Sequence, residues 1–257
     1  MKSLATMFKI DDTTPIQLKI LSKQITNAQK KIEIQNFSTR KTVLKFDDVM
    51  NTQRTVIYDE RNKVLDGYPV HEQILNMLPE VVNKIVEEHI SDDKPYYDWD
   101  LEPLNTALER GLLEKDTNLI TEDFVEDCDV AELEEKILRV VEGRYNKKIE
   151  EAENAGIDFS RVEHVILLRV VDSHWTNHID DMQTLKNEIF SRGFGNEDPV
   201  LAYKKESFQM FDEMIEKIRE MTCMMLLNVN IEVKKPEPMA KPLFTPVKMR
   251  TDLFNKK

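Results

Sequence analysis

The sequence predicts an all-α fold built on one very long helix and an antiparallel pair of helices. Three observations predict it. Glycine is scarce, with six in 257 residues, about a third of average usage. Sheet proteins spend glycine on tight turns, so its scarcity favours helices. Apolar residues recur at three- and four-residue spacing along most of the chain. Three patterns of the capping-box type punctuate it, each a Thr, Asp or Ser followed three residues later by Gln or Glu.

The first pattern is Thr14 with Gln17, and Pro15 stands at the first helical position, where its missing amide costs no bond. No Gly or Pro follows until Gly67. Residues 16–66 are therefore predicted to be one helix, about 75 Å long at 1.5 Å per residue. Leu21, Ile25, Ala28 and Ile32 keep helical spacing, as do Val43, Phe46 and Met50. Gly67 suits the left-handed residue that stops a helix. A helix this long is read as a strut on which other pieces pack.

Residues 68–157 form a second region. Val70–Ile90 is predicted helical with a kink or break at Pro79. Residues 91–103 hold two prolines beside Tyr96, Tyr97 and Trp99, which predicts a loop packed on its own domain. A short helix is expected from Leu104 to Arg110, ended by Gly111. Asp129 with Glu132 opens a helix to about Ala155, which Gly156 stops, with Gly143 a tolerated weak point. Ser160 with Glu163 opens the next, running to about Phe190 along Val162, Val165, Ile166, Val170, Trp175, Ile179, Met182, Leu185 and Ile189. Gly193 and Gly195 break it. Asp198 and Pro199 repeat the cap-plus-proline signal, and a helix to about Asn228 follows, with Phe208, Phe211, Met214, Ile215, Ile218 and Met225 on one side. Two long helices joined by a short glycine loop are expected to lie antiparallel. Residues 234–257 carry four Pro among Lys and apolar residues, which reads as a tail or linker.

Charged residues make up 33% of the chain and hydrophobic residues 40%, a balance that is hydrophilic without being disordered. No apolar run approaches the roughly 18 residues of a membrane span, and the N-terminus has no apolar signal core. The net charge of −12 is unevenly spread. Residues 87–136 hold eighteen Asp/Glu against four Lys/Arg, residues 16–66 ten Lys/Arg against six Asp/Glu, and residues 234–257 seven Lys/Arg against two Asp/Glu. The acidic block reads as a solvated face. The basic tail has two readings, a solubilising tail or a contact to anionic lipid.

Recognisable catalytic and metal motifs are absent from the sequence. A phosphate-cradling G-x-x-x-x-G-K-[ST] loop needs clustered glycine, and no Gly here precedes a Lys. Cys128 and Cys223 lack metal-like spacing; they read as two reduced thiols or a lone disulfide. His174 and His178 share a helix face, the spacing of a zinc pair, but Trp175 stands where H-E-x-x-H has Glu. The competing reading is two imidazoles at a helix interface beside a packed Trp175. Asp47 and Asp48 are adjacent on the long helix and point about 100° apart, so they do not share a proton. Asp47 has Asn51 within reach, and Asp48 has Lys45 or Thr52. Two readings stand for this pair, a polar helix face or a docking contact to another domain. Five methionines in residues 210–225 suit core packing or an adaptable apolar surface.

Several strings carry a family resemblance. ITNAQKKIE at 25–33, KFDDVMNTQR at 45–54 and YDERNKVLDG at 58–67 resemble the long scaffold helix of the SecA preprotein translocase motors. LLRVVDSHW at 167–175, SRGFGNEDP at 191–199 and YKKESFQMFDEMI at 203–215 resemble the two-helix finger of that family and the scaffold helix around it. The resemblance covers residues 15–231 and is weakest through the acidic block.

The resemblance implies an all-α fold: a long scaffold helix over 15–67, a helical wing over 68–157, an antiparallel two-helix finger with scaffold helices over 158–231, and a linker or tail over 232–257. Residues 1–14 would correspond to the end of the second nucleotide-binding domain. The resemblance implies a cytoplasmic motor held peripherally at the inner face of the cell membrane. Its implied partners are an unfolded preprotein, the SecY/SecE channel, the nucleotide-binding domains and an anionic membrane surface, with no nucleic acid. In the family the fingertip carries an aromatic residue that touches the moving polypeptide. Phe194, between Arg192 with Gly193 and Gly195, holds that place, where Tyr is usual. Trp175 matches a family tryptophan that packs the finger on the scaffold, and Asp47, Asp48 and Arg54 are candidates for docking to the nucleotide domains.

The family's nucleotide-binding and preprotein cross-linking domains would precede Met1, and its zinc module would need cysteines after Cys223. ATP and Mg belong to those other domains, so no catalytic residue, metal or cofactor is assigned to this chain. It is expected to be a fragment of a longer product or a split subunit. The alternative function is a stand-alone helical interaction or regulatory protein without ATPase activity.

Overall fold

The computed structural model describes residues 19–91, 93–191 and 198–231. No strand occurs among them. Seven α-helices are seen there: α1 Lys19–Leu65, α2 His71–His89, α3 Leu101–Glu109, α4 Glu122–Val125, α5 Val130–Asn154, α6 Phe159–Ser191 and α7 Pro199–Leu227. A short 3-10 helix spans Tyr96–Asp98. The fold is all-α, as the sequence predicts. The Thr14 cap, residues 1–14, the tail at 232–257 and the tip residues Arg192, Gly193 and Phe194 lie outside the described residues.

The chain divides into two compact units, Met1–Met77 with His164–Thr222 and Leu78–Glu163 with Cys223–Lys257. In the first, α1 runs unbroken to Leu65, as expected from 47 helical residues without Gly or Pro. Gly67 stops it with φ 83°. The Tyr68 amide donates to Lys63 O at 3.0 Å and the Gly67 amide to Val64 O at 3.1 Å, the paired bonds of a Schellman stop. Three helical segments then pack as a bundle. Along α1 and α6 the partners run in opposite senses: Phe46 meets Phe190, Gln53 meets His178, Tyr58 meets Trp175 and Arg61 meets Asp172. The two helices are antiparallel. Along α1 and α7 they run in the same sense, Phe46 to Tyr203 and Gln53 to Ser207. Hence α6 and α7 are antiparallel to each other, with His178 on Phe211 and a shared cluster that includes Ile189 and Val200. The Asp198 carboxylate accepts the Val200 amide at 2.9 Å, so the predicted cap before Pro199 is present.

The other unit is built around α5. Leu133, Ile137, Val141, Tyr145 and Ala152 are buried at four- and seven-residue intervals, one stripe of a helix. The capping box at its start is complete: the Glu132 amide donates to Asp129 Oδ1 at 2.8 Å, and the Asp129 amide to Glu132 Oε2 at 3.3 Å. Gly156 ends it with φ 71°, and the Ile157 and Gly156 amides reach Ala152 O and Glu153 O. Buried Asn105 closes the α3–α4 connection by bonding both backbone groups of Ile120, at 2.7 and 3.0 Å.

Four local expectations are corrected, and of the two alternatives at Pro79, a kink or a break, the break is excluded. Pro79 lies inside α2, which runs on through it; burial of Leu78, Val81, Val82, Ile85 and Val86 offsets a proline cost of about 3 kcal/mol. The short helix begins at Leu101, not Leu104, because Pro103 falls in the first turn, where amides have no intrahelical partner. Tyr97 is 73% exposed while Tyr96 and Trp99 are half-buried, so the aromatic loop is packed only in part. Helix α6 begins at Phe159, ahead of the expected Ser160, and the Asp158 carboxylate accepts the Ser160 amide at 3.1 Å. Glu163 is buried and accepts the hydroxyl of Tyr145. On α7, Phe208 points outward at 67% exposure, and Ser207 faces in.

Candidate functional site

The candidate residues on α1 sit where that helix meets α6 and α7. Phe46 anchors the region, wholly buried against Tyr203 at 4.5 Å and Phe190 at 5.0 Å between ring centroids. Met182, Leu185, Ile189 and Val200 complete the cluster. Being one residue on, Asp47 is turned about 100° away, towards α6, where Lys186 Nζ donates to its Oδ1 at 3.2 Å. A cleft of about 370 Å³ opens here, walled by Phe46, Met50, Ile179, Met182 and Tyr203, with Asp47, Arg54, Asn51, Gln183 and Lys186 at its polar side. Arg54 Nη1 donates to Asn51 Oδ1 at 3.3 Å. The Tyr203 hydroxyl is pushed up to about 12 by burial, with the charge of Asp47 adding to the shift.

Asp48 faces another way. It lines a shallower cleft of about 250 Å³ with Val49, Thr52, Gln53, Lys204, Ser207 and Phe208. The Thr52 hydroxyl bonds the Asp48 backbone carbonyl at 2.9 Å. The structure therefore unites Asp47 with Arg54 and sends Asp48 to a separate surface, as adjacent helical positions require. The local partner foreseen for Asp47, Asn51, bonds Arg54 instead.

Trp175 lies on α6 farther along, 5% exposed, edge-on to Tyr58 at 6.3 Å and tilted over His178 at 5.7 Å. Its indole nitrogen is buried without a hydrogen-bond partner among the described residues. Beside it a polar link crosses all three helices. Gln53 Nε2 donates to Ser207 O at 3.0 Å, so the Gln53 oxygen is free to accept from His178 Nε2 at 3.0 Å. This arrangement puts the hydrogen on Nε2 of His178. Burial holds His178 below its ordinary value of 6.5, and Asp181 opposes that in part. Burial lowers His174 too, with Lys217 adding to the effect. His178 thus sits at a helix interface and His174 is half-buried, and among the described residues no group of three or more His, Cys, Asp or Glu is placed to hold a metal. The sequence reading had Trp175 and His178 in view and missed Gln53, whose only signal is a polar residue on the apolar side of a helix.

The bundle gives α1 a packed segment, an ion pair spanning to α6 and a cleft mixing both charges with apolar walls. Such a surface can hold a polar–apolar protein segment. Residues 192–197, between Ser191 and Asp198, include the candidate tip Arg192, Gly193 and Phe194 and lie outside the described residues. Both thiols, Cys128 and Cys223, are free and buried. Within the methionine group Met214 is buried, Met210 is partly buried against the Phe46 cluster, and Met221 is exposed. No helix among the described residues is long and apolar enough to cross a membrane.

Comparison with known proteins places these helices in one family. The SecA Wing and Scaffold domain matches residues 15–230. The chain is 37% identical over 249 residues to a protein translocase subunit SecA of Caldicellulosiruptor saccharolyticus, covering 95% of this chain and 28% of that protein. It is 40% identical over 225 residues to the protein translocase subunit SecA of Acetivibrio thermocellus, covering 87% and 24%. A protein translocase subunit SecA 1 of Clostridioides difficile is 41% identical over 224 residues, covering 87% and 24%. The chain thus spans about a quarter of the length of these relatives.

Proposed function

We propose, from the premise that this chain belongs to the SecA wing and scaffold family, that it is the mechanical part of a SecA-type protein-export motor. In this reading the chain passes force from nucleotide-binding domains supplied elsewhere to an unfolded preprotein in the SecY/SecE channel. The observation that carries the reading is the antiparallel pair α6–α7 bound along one side of α1. A hairpin braced in this way moves with the strut it is packed on. Three side-chain ties support the bracing: Arg61 to Asp172 at 2.8 Å, Lys186 to Asp47 at 3.2 Å, and the buried Gln53–His178 bond.

Phe194, with Arg192 and Gly193, is the proposed contact to the preprotein. An aromatic ring accepts many side chains on its face, which suits a sequence-tolerant contact. Asp47 and Arg54 form the proposed docking surface for the nucleotide domains, with Asp48 on the adjoining face. ATP and Mg would be held in those domains, and the motor would work at the cytoplasmic face of the membrane, where the basic tail could meet anionic lipid.

The test is transport of a secretory precursor into vesicles by the complete translocase carrying Phe194→Ala, with ATPase rate measured alongside. The expected outcome is a strong fall in transport with basal hydrolysis near the parent's. Equal transport by parent and variant would retire the tip's role. The chain 1–257 alone is expected to show no ATP turnover, and turnover above buffer would contradict the division of labour.

A further inference from the structure

We propose that Cys128 and Lys136 form an oxidation-responsive pair, in which hydrogen peroxide oxidises the thiol and the lysine amine then closes on the sulfur as a reversible cross-link. Three features of the α4–α5 junction carry this. First, Lys136 Nζ lies 2.8 Å from Cys128 Sγ, well inside ordinary contact between nitrogen and sulfur. Secondly, the amine is held there: it donates to Phe124 O at 2.9 Å and sits over the Phe124 ring at 5.7 Å. Thirdly, Cys128 follows Asp127, whose φ of 54° places the turn in the left-handed region, so the sulfur is presented by a tight turn rather than a mobile strand.

The second thiol supplies an internal contrast. Cys223 is 1% exposed and is pushed up to about 12, chiefly by burial. No bond from an amine to its sulfur is seen among the described residues. A neutral thiol in such a place is inert. Cys128 is 7% exposed, enough for a small oxidant to find it.

The chemistry balances with one equivalent of peroxide. The sulfur of Cys128 attacks a peroxide oxygen; the S–O bond forms, the O–O bond breaks and water leaves. The sulfur has lost two electrons and the peroxide has gained them, giving a sulfenic acid. Lys136 first yields its ammonium proton to solvent, and its nitrogen lone pair then attacks sulfur. The S–N bond forms as the S–O bond breaks, and hydroxide departs as a second water with a proton from the amine. Thiol, amine and peroxide have become a sulfenamide and two waters. A thiol reductant reverses it by attack on the same sulfur. The link would pin the junction to the second turn of α5, beside the Asp129–Glu132 capping box.

The experiment uses the whole chain. It is treated with hydrogen peroxide, remaining thiols are alkylated, and the digest is read by mass spectrometry. The expected product joins the peptides holding Cys128 and Lys136, has lost two hydrogens, and reverts with dithiothreitol, while Cys223 is alkylated only after unfolding. Lys136→Arg, checked for parental helicity by circular dichroism, should leave Cys128 as a sulfenic acid trapped by dimedone. The proposal is overturned if the parent's Cys128 is trapped by dimedone as a sulfenic acid with no product linked to Lys136, or if Cys128 resists peroxide to the same degree as Cys223. The parent measurement decides the matter even if the variant fails to fold.

Discussion

The two halves of α1 are made of similar residues and live in different surroundings. From Phe46 onward the helix is packed: Phe46, Gln53, Ile57 and Val64 are buried. Before it, residues 22–41 are exposed throughout, with Ile25, Ile32, Ile34 and Phe37 among them. Both halves keep apolar residues at helical spacing. Spacing therefore states which face is apolar, and only the bundle decides whether that face is covered. Helix formation here follows from the unbroken run without Gly or Pro, whereas stability is concentrated where α6 and α7 lie alongside.

The sharpest way to break this comparison is to truncate one side chain in each half. Phe46→Ala removes a ring packed between two others, and chemical denaturation should show a loss of about 3–5 kcal/mol. Ile32→Ala should stay within about 0.5 kcal/mol, as for surface substitutions generally. Similar losses at both sites would mean that the N-terminal half is packed too.

Gln53→Ala tests the polar link. It would leave the His178 N–H unpaired inside the bundle and remove the second bond to the Ser207 carbonyl, which keeps its helical partner, at a cost of about 1–3 kcal/mol. His178 also gives the comparison a pH dependence. Its folded value lies below 6.5, so the unfolded chain binds the proton more readily. Stability should be full above the unfolded value and should fall as pH drops from about 6.5 towards the folded value. Thermal melts of the parent and of His178→Gln across that window are the check, with a flatter profile for the variant. His174 shares the direction, so some acid sensitivity should remain.

Smaller effects lie at the edges of the packed half. Gly67→Ala places a Cβ on a residue with φ 83°, and a loss on the order of 1 kcal/mol is expected. Arg61→Ala removes a bidentate pair with Asp172 whose side chains are 34% and 52% exposed. It should cost at most about 1 kcal/mol, and less in high salt. A larger loss would show that this pair, and not the buried link, holds α6 to α1.

Local signals in the sequence carried the elements and long-range packing carried the rest. The span of α1, the stop at Gly67, the Asp129–Glu132 box and the Asp198–Pro199 start all depend on residues within a few positions of each other, so they were readable. Pro103 was misread because position within a helix, which decides whether a proline costs a bond, was not known. At Pro79 the sequence left a kink and a break open, because burial of its neighbours, which carries the helix through, is a tertiary effect. At the site, Trp175 belongs to the apolar periodicity of its helix, while His178 stands out only by its four-residue spacing to His174, with a helix interface as one of two readings. The pairing of Asp47 with Lys186, and of Gln53 with both His178 and Ser207, joins residues more than a hundred positions apart. No local pattern encodes such a pairing. Phe208, expected on the apolar side, faces out and its neighbour Ser207 faces in, because one residue is a turn of about 100° on a helix, and only the partner helix says which side is inside.

The most direct test of the translocation reading is contact itself. A photo-crosslinking amino acid at position 194 of the complete translocase should capture a precursor stalled in the channel. The same group at position 208, an exposed phenylalanine on α7, should not capture it above background. Crosslinking to the precursor at 194 alone is the predicted result. No capture at 194, or equal capture at both positions, would contradict the account.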